Sequence, residues 1–194
     1  MSPFLKWVLS SSGRLPLGKT WVELGSGYGR DLRALRARGF SAVGIDVSRV
    51  GTAIARRSGV NAAHGEALRF LSQLPKESVD VVFSNLFYSL EFSADEHQRF
   101  FDRVHRALVP RGLHAYSVRT VADPWYGKGV AVGPDTFDLT PDGAVMHFFS
   151  GAYARRLRAG KFRCVRTWEG AEDPGGFRIR VLYVLEQKPR TSRD

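Results

Sequence analysis

The chain has 194 residues, 43% hydrophobic and 25% charged, which suits one substantial core and leaves too little length for two ordinary domains. No apolar run approaches the roughly 18 to 20 residues of a membrane span, the N-terminal SPFLKWVLSSSG lacks the features of a signal peptide, and the single cysteine, Cys164, excludes an intramolecular disulfide and a thiolate metal cluster. The net charge of +10 raises nucleic acid as a partner, yet the basic residues are spread over Arg30, Arg33, Arg36 and Arg38, Arg56 and Arg57, Arg99, Arg103 and Arg106, and Arg155, Arg156 and Arg158, the spacing of solvated helix faces. The expectation is a soluble cytoplasmic protein of one domain over 1–194, monomer or homodimer, with no membrane association and with Cys164 as a buried strand residue.

Ser2 reads as a cap and Pro3 as the first position of a short helix bearing Phe4, Leu5, Trp7, Val8 and Leu9, inside a segment 1–18 that would form an N-terminal lid. KTWVEL (19–24) is an apolar strand ending at glycines, and GRDLRALRARGF carries Leu32, Leu35 and Phe40 on a helix that stops near Gly39. SAVGID (41–46) is a second buried strand, after which Ser48 caps a helix ending at Gly59. VNAAH (60–64) is a third strand, followed by a helix in EALRFLSQL that Pro75 ends. SVDVVFSN (78–85) is the most β-rich run in the chain. SADEHQRFFDRVHRAL then opens with the capping box Ser93 to Glu96, and LHAYSVR (113–119) is the fifth strand after a turn at Pro110 and Gly112.

Residues 120–144 hold Pro124, Pro134, Pro141 and many glycines without helical period, and a connection of this length belongs to function or motion. SGAYARRLRAG gives a last helix, and FRCVRTWEG with FRIRVLYVLEQ gives two antiparallel strands before a polar tail, 188–194. Alternating strand and helix predicts an α/β fold: a doubly wound, mostly parallel seven-stranded sheet between two helical layers, with ligands outside the carboxyl ends of its strands.

Three glycines in ELGSGYGRD, Gly25, Gly27 and Gly29, lie at that position. A triphosphate loop would need a lysine and hydroxyl after them, and none follows Gly29. A dinucleotide fingerprint needs a different spacing, with glycine where Arg30 stands. Glu23 adds a charge argument: a carboxylate beside a pyrophosphate is repelled, whereas an ammonium and a sulfonium are attracted. Asp46, ending the second strand, offers two oxygens to a ribose diol, in any adenosine ligand.

With VELGSGYGRD, GIDVS, GEA and SNLFYSLEF in this order over roughly residues 18 to 187, the chain resembles the class I S-adenosylmethionine-dependent methyltransferases. The resemblance implies S-adenosylmethionine as cofactor, with S-adenosylhomocysteine as product. It places Glu23, Gly25, Ser26, Gly27, Tyr28 and Gly29 around the methionine end, Asp46, Val47 and Ser48 at the ribose, and Gly65, Glu66 and Ala67 at the adenine. Asn85 and Leu86 follow the fourth strand beside the departing methyl. Asn85 and Tyr88 have the offset of the Asn-Pro-Pro-Tyr pattern of amino-group methyltransferases, but Leu86 and Phe87 replace both prolines, so Phe87 and Tyr88 are taken instead as pocket walls. SVR (117–119), DPWYGKG (123–129) and HFFS (147–150) are similar to the tellurite-resistance and thiopurine-methyltransferase-like branch, which acts on small molecules.

That likeness implies an acceptor-side segment at 120–148, with Arg119, Trp125, Tyr126, His147, Phe148 and Arg178 as substrate-binding candidates and His147 or Tyr88 as catalytic ones. Arg119 with Arg178 would hold an anion by bidentate pairing. The histidines show no metal spacing, so no metal is expected. A small-molecule acceptor leads, with an RNA or protein methyltransferase and a non-catalytic interaction module as the alternatives.

Overall fold

The structure, a computed structural model, describes residues 1–11, 13, 15, 17–139, 145–176 and 178–190. Of the expectations above, Pro141 and the rest of 140–144 and the end of the tail at 191–194 lie outside the described residues.

The elements run α1 (Pro3–Ser11), β1 (Thr20–Leu24), α2 (Arg30–Arg36), β2 (Ser41–Asp46), α3 (Arg49–Arg57), β3 (Asn61–His64), α4 (Ala67–Gln73), β4 (Val79–Asn85), a 3-10 turn at Phe87–Ser89, α5 (Ala94–Ala107) and β5 (Leu108–Arg119). There follow β6 (Val130–Gly133), β7 (Thr136–Asp138), β8 (Val145–His147), α6 (Gly151–Arg158), β9 (Arg163–Glu172) and β10 (Ile179–Gln187). Seven strands form one sheet in the order β3-β2-β1-β4-β5-β10-β9. β1 pairs in parallel with β2 and β4, β2 with β3 and β4 with β5, and β10 is antiparallel to both β5 and β9. This is the doubly wound, mostly parallel seven-stranded α/β fold that the alternation of elements predicts.

The central strands are apolar on both faces because both are covered. Trp21, Val81, Phe83, Leu113, Ala115, Val181 and Tyr183 pack with Phe4, Leu5 and Val8 of α1 and Leu35 of α2. Val22, Leu24, Val82, Tyr116, Val118 and Val184 face Leu71 of α4, Phe100, Phe101 and Val104 of α5 and Leu157 of α6. The segment expected as a lid is therefore, over α1, part of a core layer. Ser2 caps it through a 2.9 Å bond from the Leu5 amide, and the Ser2 amide donates to Asp31 Oδ1 at 2.6 Å, fixing α1 against the start of α2. The predicted caps at Ser48 and at Ser93 with Glu96 are formed.

Three expectations change. β5 starts at Leu108 rather than 113, with a register shift opposite Val79 and Val81 that absorbs the Pro110–Gly112 bend inside the strand. The segment after β5 is not irregular: β6, β7 and β8 pair antiparallel into a small second sheet whose strands are three or four residues long, too short to show periodicity in sequence. Cys164 is exposed, because β9 is the sheet edge and most of its residues face solvent.

Much of the arginine charge is committed to structure. Arg33 donates to the Tyr28 carbonyl at 2.8 Å, Arg56 to Ala62 at 2.6 Å, Arg106 to Leu74 at 2.8 Å and Arg36 to Gly59, closing carbonyls that helix ends and turns leave free. Among the described residues no helix is long and apolar enough to cross a membrane.

Candidate cofactor and acceptor site

Strand order reverses at β1, which sends β2 and β3 to one side and β4 and β5 to the other, so the turn after β1 opens at the carboxyl edge of the sheet. That turn is built by backbone bonds from Gly25 and Ser26 to the Ile45 carbonyl, at 2.9 and 3.2 Å. Two of its glycines have steric reasons to be glycine. Gly25 has φ +70°, and a Cβ there would lie 2.8 Å from Cδ2 of Phe87; Gly29 has φ +73°, and a Cβ would lie 2.9 Å from the Ala55 methyl of α3. The third glycine thus lets α2 start against α3 at this shorter spacing.

Asp46 holds the turn from the next strand. Its Oδ2 accepts from the Gly27 amide at 2.7 Å and its Oδ1 from the Ser48 amide at 2.8 Å, which leaves one lone pair on each oxygen directed elsewhere. Glu23 lies behind the turn, 4% exposed, and its Oε2 has no hydrogen-bond partner among the described residues. Burial, reinforced by Asp31 and Asp46 and opposed by Arg30, holds its carboxyl well above the usual carboxylate range. Ser26 Oγ is likewise buried and unpaired. Glu23 thus brings to the turn a buried carboxyl with one unpartnered oxygen, near the carboxyls of Asp31 and Asp46.

Next to the turn is a cleft of about 390 Å3. Gly25, Asp46, Val47, Gly65, Glu66 and Ala67 line it together with Leu68, Phe87, Leu90, Phe92, Glu96 and Phe100. Phe87, Phe92 and Phe100 form an aromatic wall with ring centroids 4.9 to 5.2 Å apart. The cleft therefore offers an acid for a diol and a flat apolar slot for a base, which fit the adenosyl part of S-adenosylmethionine; Glu23 is not among its lining residues and lies behind the turn. Tyr28 is 61% exposed beyond the turn, and Ser48 works as the cap of α3.

Asn85 and Leu86 do not line this cleft. They line a second cavity of about 630 Å3, with Pro3, Trp7, Arg30, Trp168, Ala171, Glu172, Asp173, Pro174 and Tyr183. Leu86 has φ 60°, held by bonds from its amide to the Ser117 carbonyl and hydroxyl, and Ser117 Oγ donates to Asn85 Oδ1 at 2.6 Å. Phe87 walls the first space and Leu86 the second, so consecutive residues line the two.

The other acceptor candidates do not converge on one cavity: Phe148 packs between Tyr126, with ring centroids 5.6 Å apart, and Arg119, but is fully buried. Tyr88 is fully buried; its hydroxyl meets His114 Nε2 at 3.0 Å, and His114 Nδ1 meets Glu186 at 2.9 Å, so it belongs to a core network. Burial and the Glu186 carboxylate raise its pKa well above the tyrosine range, which rules it out as a base. Tyr88→Phe is expected to lower stability by about 1 to 3 kcal/mol in chemical denaturation, through the unpaired His114, and to leave cofactor affinity unchanged.

Arg119 is 7% exposed and paired through two bonds, 2.6 and 3.0 Å, with Asp123, and its guanidinium lies 5.2 Å over the buried Phe148 ring. Its Nε–Nη2 edge is taken by Asp123, and Arg178 is exposed. Trp125 and Tyr126 are each 37% exposed, the latter donating to Asp135 at 2.7 Å. His147 lines a third cavity, of about 470 Å3, which meets the cofactor cleft only at Phe92. Thr136 Oγ1 donates to the Pro134 carbonyl and so accepts from His147 Nδ1 at 2.8 Å, leaving Nε2 buried with an unshared lone pair. Burial lowers the His147 pKa and keeps the ring neutral.

Sequence reasoning missed Asp31, Leu68, Phe92 and the second cavity. Phe92 had a signal in its place between the fourth strand and the capping box; Trp168 and Glu172 had none, because only the β9 to β10 pairing returns them to β4.

Residues 22–116 match the protein family described as a methyltransferase domain. No curated protein matches the sequence. Among solved structures, the chain is similar to a SAM-dependent methyltransferase of Methanosarcina mazei, with TM-score 0.81 and 16% identity over 98% of this chain and 99% of that one. It is also similar to an S-adenosylmethionine-dependent methyltransferase of Mesorhizobium loti, with TM-score 0.70 and 22% identity over 94% and 97%. The domain match covers the segment that carries the glycine turn, Glu23 and Asp46, so the chain contains a methyltransferase domain, with S-adenosylmethionine as its cofactor.

Proposed function

We propose that the protein transfers the methyl group to a small-molecule acceptor. The observation that carries this is the cavity of about 630 Å3 beside Leu86, of small-molecule size and closed by α1 on one side and the end of the β9 to β10 pair on the other. S-adenosylmethionine, when bound, supplies a methyl group on a cationic sulfur, which leaves readily. The chain's part is to hold and orient: Glu23 and Asp46 on the cofactor, and Leu86 and the aromatic residues around it on the acceptor. Alignment of this kind contributes up to about 7–11 kcal/mol of the barrier. The small-molecule branch that HFFS and DPWYGKG resemble is part of the same reading.

Incubation with isotopically labelled S-adenosylmethionine and a metabolite extract should place label in low-mass products. Label found only in RNA or protein would overturn the small-molecule reading.

Glu23 carries a second expectation. The folded protein holds the Glu23 proton more tightly than the unfolded chain, so the contribution of Glu23 to the stability of the cofactor-free protein is complete below the ordinary carboxyl range and is lost as pH rises toward the raised value. Pairing with an ammonium needs the carboxylate, so cofactor affinity should rise with pH over the same interval. Glu23→Gln is expected to flatten both dependences in thermal and calorimetric titrations and to weaken binding by roughly tenfold or more, from loss of about 1.5–3 kcal/mol.

A further inference from the structure

We propose that the cavity beside Leu86 takes an acceptor bearing an ammonium group, quaternary or protonated, seated against Trp7, Trp168 and Tyr183 and countered by Glu172 and Asp173. This rests on the methyltransferase reading above and names the substrate class of its acceptor side.

The aromatic walls come from three separate elements. Tyr183 of β10 is the centre, with Trp168 of β9 at 4.7 Å and Trp7 of α1 at 5.4 Å between ring centroids, both rings inclined to it. Phe4 behind them, 4.8 Å from Tyr183, fixes the tyrosine ring from the core side. Trp168 remains 40% exposed, and its indole lies over Gly170, where a Cβ would collide with the ring. The sequence thus leaves a large aromatic ring on an edge strand and clears the backbone beneath it. Tilted aromatic faces around a cavity are the arrangement that attracts cations through the ring quadrupole.

The charges around it agree. Glu172 ends β9 at the cavity and accepts from the Tyr183 hydroxyl, which orients it. Asp173 follows it in the lining, and among the described residues Arg30 is the one cation there. Arg30 is itself paired with the buried Asp31 at 3.3 Å, so the walls carry an excess of negative charge. This is a local inversion in a chain of net charge +10. Distant arginines are screened over about 8 Å at physiological salt, so the charges at the wall decide what enters. Burial raises the Glu172 pKa above the usual carboxylate value, with Arg30 opposing the shift.

The test is a ligand-observed NMR titration of the protein saturated with S-adenosylhomocysteine. The probes are choline and tetramethylammonium, set against the neutral isostere of choline in which carbon replaces nitrogen. The cations are expected to bind at least about tenfold more tightly than the isostere. Trp168→Leu, at an exposed edge position, and Glu172→Gln should each remove most of that preference while calorimetric affinity for S-adenosylmethionine stays unchanged. Equal binding of cation and isostere, no binding of either cation, or indifference to both substitutions would overturn the inference. Failure of the wild-type protein to bind S-adenosylmethionine would instead refute the cofactor reading, so the two are separable.

Discussion

Asp46→Ala is expected to weaken S-adenosylmethionine binding by about a hundredfold or more in calorimetry and also to lower the unfolding midpoint of the cofactor-free protein. Two contributions add. The ribose loses an ionised acceptor, and each hydrogen bond to a charged group is worth about 1.5–3 kcal/mol, against 1.4 kcal/mol per tenfold in affinity. The turn also loses the bonds from the Gly27 and Ser48 amides, which fix its shape before any ligand arrives. Asp46→Asn is no rescue. One side of an amide is a donor, and it would face an N–H where the carboxylate has an oxygen. The asparagine variant should therefore lose roughly tenfold or more, and affinity within a factor of two of wild type in either variant would remove Asp46 from the site.

The same carboxylate shows why this half of the site was legible in sequence. The turn, Asp46 and the GEA segment each follow a strand directly, so chain order and the doubly wound rule bring them to one edge of the sheet without knowledge of any side-chain contact. Glu23 was legible by charge alone, because an acid before a glycine turn is costly with a phosphate and useful with a cation. The acceptor side had no such rule. Tyr88 and Leu86 are two residues apart, yet the left-handed Leu86 and the 3-10 turn after it send Tyr88 into the core toward His114 and leave Leu86 at a cavity. Trp7 and Trp168, 161 positions apart in the numbering, meet Tyr183 only because β10 inserts between β5 and β9. Periodicity tells which residues of a strand are covered; it does not tell which end of an antiparallel pair returns to the ligand.

Arg119→Ala provides the complementary result, a large loss of stability from a residue that reads in sequence as a substrate clamp. The Arg119 and Asp123 side chains are 9% and 0% exposed, and Asp123 also accepts from the Trp125 amide at 2.8 Å and the Arg180 amide at 2.9 Å. The pair therefore ties the end of β5, the first turn after it and the start of β10 into one knot. Removing the guanidinium leaves a buried carboxylate with only neutral donors, and breaking a buried pair in this way costs about 3–5 kcal/mol. At roughly 2–4 °C per kcal/mol for a chain of this size, the midpoint should fall by on the order of 10 °C. Arg119→Lys keeps the charge but cannot form both bonds to Asp123, and should fall between the two. The control is kinetic: at a temperature where both proteins are folded, the alanine variant should keep the wild-type KM for its acceptor. A raised KM with an unchanged midpoint would instead return Arg119 to the substrate, against the geometry of its two bonds to Asp123.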